Sequence, residues 1–320
     1  MRTFVPFLLA AALQAVATPA PAQAPWPGHP IKIITPSPVG VGSDLFARAY
    51  AERLSEALNT PVYVENKPGA LSVTGTDAVA KSRPDGYTVL FSTSNPFAIT
   101  PFLFSRLPYD PQADFVAVTQ ALRGGSFIVA NNAVPIKSVP DLVAAARREP
   151  GRISYASYGS GSTAHLGFEL LQDASGARLL HVPYKRAALP DVMAGHVMLG
   201  FEPPVSALPA IRSGKLTAIA YTGNRRSAVL PDVPTVAESY PGVEIFTSLG
   251  FWVPAGTPAS IVERLNREIQ AVTHSAGMQR MIAEAGLEPM STTPAEAAAA
   301  IRRETEVMGR LIKAKGIMVD

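Results

Sequence analysis

Two segments of the sequence combine a short β-branched run, a loop rich in glycine and serine, and the start of a helix. The first runs through Ile31–Thr35 and the loop PSPVGVGSD (36–44) into a helical pattern from Leu45. The second runs through 152–156 and the loop SYGSGST (157–163) into a helical pattern from Ala164. Each segment leaves backbone N–H groups at a helix N-terminus, where about half a positive charge accumulates. Each is therefore a candidate anion site, and two such helix ends facing each other would hold a carboxylate.

The loop side chains support this interpretation. Glycines alone could serve only to turn the chain from strand to helix, but both loops also carry hydroxyl donors, namely Ser37, Ser43, Ser157, Ser160, Ser162 and Thr163. Ser43 and Asp44 are predicted to be helix N-caps. Because an aspartate would repel an anion placed against it, Asp44 is interpreted first as a capping or water-holding residue and second as a ligand contact.

Other kinds of loop chemistry fit less well. The run 159–164 matches the dinucleotide pattern G-x-G-x-x-A, but no acidic residue follows at 179–183 to hold a ribose. A serine nucleophile elbow would need glycine where Tyr158 stands. A triad assembled from distant residues stays open, so a secreted hydrolase is kept as an alternative to a binding protein.

The histidines give no metal signature. The five histidines are separated by more than five residues, and the chain has no cysteine; they are His29, His165, His181, His196 and His274. Metal sites usually show closely spaced ligand pairs, so we predict no metal and interpret these as surface or loop histidines. His165 alone lies near the second loop, where it would brace the helix or touch a ligand.

Composition narrows the class of protein. A chain of 320 residues is long enough for two domains, and 47% apolar residues indicate globular α/β structure. A net charge of +3, without a basic block, gives no support to a nucleic-acid partner. The lack of cysteine excludes disulfides, thiol catalysis and a lipid-anchored cysteine.

The N-terminus is typical of a secretory signal. Arg2 precedes an apolar run over 4–16, and small-residue cleavage patterns end at Ala17 and Ala24. No later stretch reaches the roughly 18 apolar residues of a membrane span. We expect residues 1–24 to be a signal peptide and the mature chain to be soluble and periplasmic.

The order of predicted elements indicates two lobes. A βαβαβ series occupies 31–92, a crossing strand follows at 114–118, and a second βα series runs from 126 to 221. Helices at 258–273, 276–285 and 294–315 then return to the first lobe. We predict a parallel sheet for the βαβαβ series, and a βα sheet with helices on both faces in each of two lobes, 25–123 plus 225–320 and 124–224, with a ligand cleft at the carboxyl ends of the strands.

Motifs along nearly the whole mature chain carry a family resemblance. They include IKIITP (31–36), VENKPGA (64–70), RPDGYTVL (83–90), LPYDPQADF (107–115), SYGSGSTAHL (157–166), HVPYK (181–185), LPDVPTVAES (230–239) and FWVPAGTP (251–258). With these motifs the chain resembles the Bug family of periplasmic solute receptors, the extracytoplasmic partners of tripartite tricarboxylate transporters.

The resemblance implies a two-lobed α/β fold of the type II periplasmic-binding-protein kind, which closes like a Venus flytrap on a small organic acid. It implies no catalytic residue and no cofactor, and membrane transporter subunits as partners; we expect a monomer. Both loops would bind one carboxylate through backbone amides and water. Carried onto this chain, the ligand-binding residues are Ser37, Val39, Gly40, Val41, Gly42, Ser43 and Asp44; Ser157, Gly159, Ser160, Gly161, Ser162 and Thr163; and Thr93, Ser94, Asn95, Tyr184, Lys185, Arg186, Phe201 and Glu202.

The chain departs from the family pattern at three places near the expected pocket. Arg186 replaces a glycine, Val39 and Val41 flank Gly40 where a glycine run is typical, and Glu202 replaces Asp or Asn. Arg186 would meet a second anionic group, reduce the pocket to a small ligand, or point to solvent.

Glu202 would pair with a ligand amino group, or with Lys185 or Arg186. The ligand class therefore stays open among mono-, di- and tricarboxylates, amino acids and aromatic acids. A receptor for a sensor kinase is the alternative within binding proteins.

Overall fold

The computed structural model describes residues 26–184 and 187–319. The predicted signal peptide and the side chains of Lys185 and Arg186 lie outside the described residues. The strands are β1 Ile31–Thr35, β2 Val62–Asn66, β3 Thr88–Thr93, β4 Phe115–Gly124, β5 Phe127–Asn131, β6 Ser154–Ser157, β7 Leu180–Pro183, β8 Leu199–Glu202, β9 Leu216–Tyr221, β10 Thr247–Pro254 and β11 Glu288–Pro289. The helices are α1 Gly42–Leu58, α2 Val73–Ala80, α3 Asn95–Ala98, α4 Thr100–Leu103, α5 Val139–Arg148, α6 Thr163–Ser175, α7 Leu189–Ala194, α8 Pro204–Arg212, α9 Val236–Ser239, α10 Ala259–Thr273, α11 Ala276–Glu284 and α12 Pro294–Lys315.

These strands form two sheets. The first has the order β11-β4-β10-β3-β1-β2, and the second has the order β7-β6-β8-β5-β9. Helices cover both sheets because their apolar faces bury the β-branched strands, with Ile31, Ile33 and Phe91 in the first core and Tyr155, Phe168 and Leu199 in the second. The two-lobed α/β prediction is confirmed.

The parallel sheet predicted for the βαβαβ series is confirmed, and the strands that enter each sheet from the other lobe are antiparallel to their neighbours. β1 is parallel to β2 and β3, and β6 is parallel to β7 and β8, but β10 is antiparallel to β3 and β4 and β5 is antiparallel to β8 and β9. β5 and β10 are the strands by which the chain enters each sheet from the other. Each of the two strands begins beside the carboxyl ends of the parallel strands in its sheet. It therefore runs in the direction opposite to them.

The two connections between the sheets lie side by side. β4 extends to Gly124, six residues beyond the expected crossing strand, and leads directly to Ser126. The Ser126 backbone N–H donates to Thr222 Oγ1 at 2.9 Å, and the Thr222 N–H donates to the Ser126 carbonyl at 2.9 Å. The two connecting segments, here called the paired crossing, therefore join the two lobes side by side.

The last helix ties the lobes together. α12 follows its predicted bounds, packs on β4 and α3, and reaches α6 with its C-terminal end. There Leu103 of α4, Leu166 of α6 and Leu311 of α12 share one buried cluster. Lys315 Nζ also lies 2.9 Å from Glu169 Oε2 of α6. The lobe boundaries at 123/124 and 224/225 stay predictions.

Candidate functional site

The loop between β6 and α6 presents a helix N-terminus that has no carboxylate of its own. Ser162 is the N-cap, and its side chain accepts a hydrogen bond from the His165 N–H at 3.4 Å. Gly161 takes a left-handed φ of +75° and donates its N–H to His165 Nδ1 at 3.0 Å. The first turn of α6 holds no acidic residue. Apart from the His165 N–H, which Ser162 accepts, the N–H groups of the first turn and the positive end of the dipole can therefore bind an anion.

Two histidines support this loop from behind. The His165 and His181 rings stack with centroids 3.9 Å apart, and His181 Nε2 lies 2.6 Å from Ser157 Oγ. Burial, helped by His165, lowers the pKa of His181 to about 4, and burial also lowers the pKa of His165. Both rings are neutral near pH 7, which leaves His165 Nδ1 able to accept from Gly161. His165 is 9% exposed, and its hydrogen bond from Gly161 agrees with the expectation that it braces this helix start. The surface-or-loop interpretation is wrong for His181, which is half-buried in β7.

The loop between β1 and α1 has its own carboxylate. α1 begins at Gly42 with Val41 as the N-cap, so the prediction that Ser43 and Asp44 are N-caps is wrong. Asp44 lies in the first turn, where its carboxylate accepts the Gly40 N–H at 2.8 Å. Asn66 donates to the same carboxylate at 2.7 Å, and Arg48 pairs with it at 3.1 Å.

Burial alone would raise the pKa of Asp44, but the hydrogen bonds from Gly40, Asn66 and Arg48 and the charge of Arg48 lower it overall. Asp44 is thus an ionised carboxylate at the positive end of α1, at a side chain only 1% exposed. An external anion at this helix would compete with it. Asp44 is therefore not a capping residue, and its role as a water-holding residue first and a ligand contact second stays a prediction.

The α6 N-terminus opens into a cavity of about 290 Å³, here called the polar cavity. Its hydrogen-bonding side chains come from both sheets and from the crossing, namely Ser72, Asn95, Thr100, Ser126, Tyr158, Ser162, Thr163 and Thr247. Leu71, Ile99, Leu103 and Phe201 supply apolar wall. None of the described residues that line it carries a formal charge.

A second cavity of about 420 Å³, here called the apolar cavity, adjoins the first. The two share Ser126, Pro203 and Thr247, the residues at the crossing and at the start of the loop into α8. The walls of the apolar cavity come mainly from Leu45, Phe46, Pro204, Val205, Leu249, Met281, Ala285 and Leu287. The two cavities are therefore neighbouring parts of one cleft between the lobes.

The predicted ligand-binding residues divide between these cavities. Asn95, Gly161, Ser162, Thr163 and Phe201 line the polar cavity, and Gly42, Ser43 and Thr93 line the apolar cavity. The two helix ends thus border different cavities. That they hold one carboxylate between them stays a prediction.

The other predicted residues shape the loops. Ser37 Oγ accepts from Ser43 Oγ at 2.7 Å, and Ser157 Oγ bonds both His181 and the Gly159 N–H. Val39, Val41 and Ser160 are exposed, Gly40 and Gly159 have positive φ, and Tyr184 N–H donates to the Ser157 carbonyl at 2.9 Å. Ser94 is fully buried and donates to Glu304 Oε1 at 2.7 Å.

Glu202 is 2% exposed and forms hydrogen bonds with neighbouring side chains. Tyr158 OH donates to Glu202 Oε2 at 2.7 Å, and Ser206 Oγ donates to the same oxygen at 3.1 Å. Burial raises the pKa of Glu202, and these two hydrogen bonds oppose that shift. The carboxylate also fixes the Tyr158 ring, which lines the polar cavity.

Several lining residues are not singled out by the sequence. Tyr158 lies inside the predicted second loop, and this position alone could have marked it as a candidate lining residue. Ser126 follows Gly124-Gly125 at the crossing, where two adjacent glycines mark a tight connection. Ser72, Thr100 and Thr247 carry no motif and reach the cavity only through the tertiary fold.

The described residues hold no cluster of three or more His, Asp or Glu side chains arranged to ligate a metal ion. Within the same part of the chain, no helix has both the length and the apolar character needed to cross a bilayer.

Two sheet-based lobes, a paired crossing and a cleft lined by hydroxyl groups define the class of two-lobed solute-binding proteins.

Comparison with known proteins agrees with this class. Residues 46–317 match the model of the tripartite tricarboxylate transporter family receptor, and the chain belongs to that family. It is a family of periplasmic solute-binding receptors and not of enzymes.

One curated relative is the protein BugT of Bordetella pertussis (strain Tohama I), which is 35% identical over 91% of this chain and 90% of its own. Rpa4515 of R. palustris, solved with adipate, is 30% identical with a TM-score of 0.82 over 92% of this chain and all of its own. MatC of Rhodopseudomonas palustris, solved with bound malate, is 25% identical with a TM-score of 0.77 over 90% of this chain and all of its own. The Bug-type resemblance is confirmed.

Proposed function

We propose that this receptor binds a small organic carboxylate in the cleft and delivers it to a tripartite tricarboxylate-type membrane transporter. The observation that carries the proposal is the α6 N-terminus, which opens without an acidic residue into a cavity lined by neutral hydrogen-bond donors. The adipate and malate held by Rpa4515 and MatC support the same ligand chemistry.

Affinity from this site needs no cationic side chain. A hydrogen bond to a charged acceptor contributes about 1.5–3 kcal/mol, and a helix N-terminus adds about 0.3–1 kcal/mol or more when partly buried. A few such bonds reach the roughly 8 kcal/mol of a micromolar complex. Ser162, Thr163 and Asn95 are the side chains placed to make them.

Calorimetry with hexanoate, adipate and citrate, each compared with its amide, tests the carboxylate requirement. We expect at least one acid to bind and its amide to bind at least tenfold more weakly, because the amide carries no charge to meet the helix end. Binding of acid and amide alike, or of none of the three acids, would contradict the proposal.

A matched pair of capping variants tests the location. Ser162→Ala and Ser138→Ala each remove a serine that caps a helix by accepting a backbone N–H, at α6 and α5 respectively. Both should lose about 1 kcal/mol of unfolding free energy. Only Ser162→Ala should weaken carboxylate binding, since Ser138 lies outside both cavities.

Transport is tested by uptake of the bound acid into membrane vesicles that carry the transporter subunits. Uptake should require this receptor and should fall with Ser162→Ala in proportion to its lost affinity. Binding without receptor-dependent uptake would favour a sensory role instead.

A further inference from the structure

The apolar cavity is built for a part of a ligand that carries no charge. Among its described lining residues only Glu284 is charged, and this side chain is exposed at the C-terminal end of α11. A carboxylate placed there would lose water without gaining a cationic partner, and it would meet the negative charges of Glu284 and of Asp44 behind the α1 N-terminus.

Two large aliphatic side chains line this cavity yet remain open to solvent. Leu45 of α1 is 50% exposed and Val205 of α8 is 59% exposed. They belong to different lobes, so the cavity has an apolar side chain on each wall. An apolar ligand would cover this surface, and its burial favours binding.

Position links this surface to the carboxylate site. The apolar cavity joins the polar cavity along Ser126, Pro203 and Thr247. A ligand whose carboxylate lies at the α6 N-terminus can therefore extend past these residues into the apolar cavity. The polar cavity offers hydrogen-bond donors for the carboxylate, and the apolar cavity offers space for the rest of the ligand.

We propose that the preferred ligand is a monocarboxylate with an apolar body, which occupies the apolar cavity against Leu45 and Val205 while its carboxylate lies at the α6 N-terminus. This inference rests on the proposed function, and it selects one ligand class from those the sequence leaves open. Each methylene buried in the apolar cavity should raise affinity about threefold to fourfold.

The test compares hexanoate, adipate and acetate by calorimetry on the mature protein. Hexanoate and adipate have the same six-carbon chain and differ only in the group at one end. We expect hexanoate to bind at least tenfold more tightly than adipate and than acetate. Adipate binding as tightly as hexanoate, or acetate binding as tightly as hexanoate, would overturn the inference and leave the carboxylate receptor intact. Failure of hexanoate, adipate and acetate to bind would overturn the inference, and failure of citrate to bind as well would overturn the proposed function.

Substitutions then locate the apolar body. Leu45→Ser and Val205→Ser should each weaken hexanoate binding about fivefold to tenfold and leave acetate binding unchanged. Val307→Ser is the matched control, because Val307 is a helical valine, 42% exposed, that lines neither cavity of the cleft. Equal hexanoate affinities in all three variants and in the unaltered protein would place the apolar body elsewhere and overturn the inference.

Discussion

The loops before α1 and α6 share a backbone plan and differ in chemistry. Each follows a buried strand, turns at a glycine with positive φ and leads into a helix of at least 13 residues. The α1 unit places its own carboxylate, Asp44, at the helix N-terminus, and its Leu45 and Phe46 side chains line the apolar cavity. The α6 unit has neutral capping side chains and a neutral histidine brace.

This difference shows when a helix N-terminus is an anion site. The dipole and the free N–H groups are the same at both helices. At α1 the Asp44 carboxylate already lies at the positive end of the dipole, where it accepts the N–H of Gly40, so the surrounding surface can serve apolar contacts. At α6 the cap is the neutral Ser162 side chain, the first turn holds no carboxylate, and the polar cavity lies in front. The residues of the first helical turn, and not the loop pattern alone, determine whether such a helix N-terminus serves as an anion site.

The largest expected effect contrasts Gly161→Ala with Gly40→Ala. Both glycines have positive φ, but a Cβ at Gly161 would overlap the buried Leu103 side chain, whereas a Cβ at Gly40 meets nothing within 4 Å. Gly161→Ala should lose about 3 kcal/mol of unfolding free energy from left-handed strain plus overpacking. Gly40→Ala should lose only about 1–2 kcal/mol, from the strain.

Urea unfolding of both variants measures the contrast. Carboxylate binding should also be lost in Gly161→Ala, since the Gly161 N–H is held by His165 beside the α6 N-terminus. Equal losses of stability at the two positions would mean that the Gly161–Leu103 contact between the lobes does not constrain the loop.

Much of this comparison could be predicted from the sequence, because it depends on local pattern. The alternating and helical periodicities located both units, and α12 has its predicted bounds at 294 and 315. Asp44 and Arg48 are four residues apart on a helix, a spacing that by itself favours an ion pair.

The remainder depends on contacts between distant residues. Asn66 reaches Asp44 from β2, His181 reaches Ser157 from β7, and Tyr158 reaches Glu202 from the loop before α6. No periodicity records such pairs. The direction of β5 and β10 also follows from where the chain crosses between lobes, which is a property of the whole topology.

An intermediate effect is expected from Asp44→Asn. This variant keeps the side-chain shape but removes the charge that accepts from Gly40, Asn66 and Arg48, and it should cost about 2 kcal/mol of unfolding free energy. It should also raise affinity for adipate severalfold, because the α1 N-terminus would no longer hold its own carboxylate. Calorimetry and urea unfolding measure the two effects.

Asp141→Asn is the matched control for this variant. Asp141 also lies in the first turn of its helix and accepts the N–H of the residue four positions earlier, Lys137, at 3.2 Å. It is exposed and lies outside both cavities. It should cost less than about 1 kcal/mol and leave adipate affinity unchanged. An adipate gain in both variants would show that net charge, and not the α1 N-terminus, is responsible.

The smallest effect separates the two units by pH. In the α6 unit, the pKa of His181 is lowered from 6.5 to about 4, with burial the largest cause, His165 adding to it and Glu169 opposing it. As pH falls from about 6.5 toward 4, His181 becomes protonated in the unfolded chain but stays neutral in the folded chain. The free energy of unfolding therefore falls. In the α1 unit, the lowered pKa of Asp44 contributes stability above its ordinary value of 3.8 that is lost as pH falls further.

Urea unfolding between pH 7 and pH 4 measures the first window. The loss should be about 1–2 kcal/mol, less than the full pKa shift implies, because the His181 ring is only half-buried. His181→Gln keeps a hydrogen-bonding group near Ser157 but cannot titrate, so its stability should vary less over this range. Asp44→Asn should keep the slope between pH 6.5 and 4 and lose only the change below 3.8. If His181→Gln retained the full slope, His181 would not be the source of the acid sensitivity, and His165, whose pKa burial also lowers, would be the titrating group of the stack.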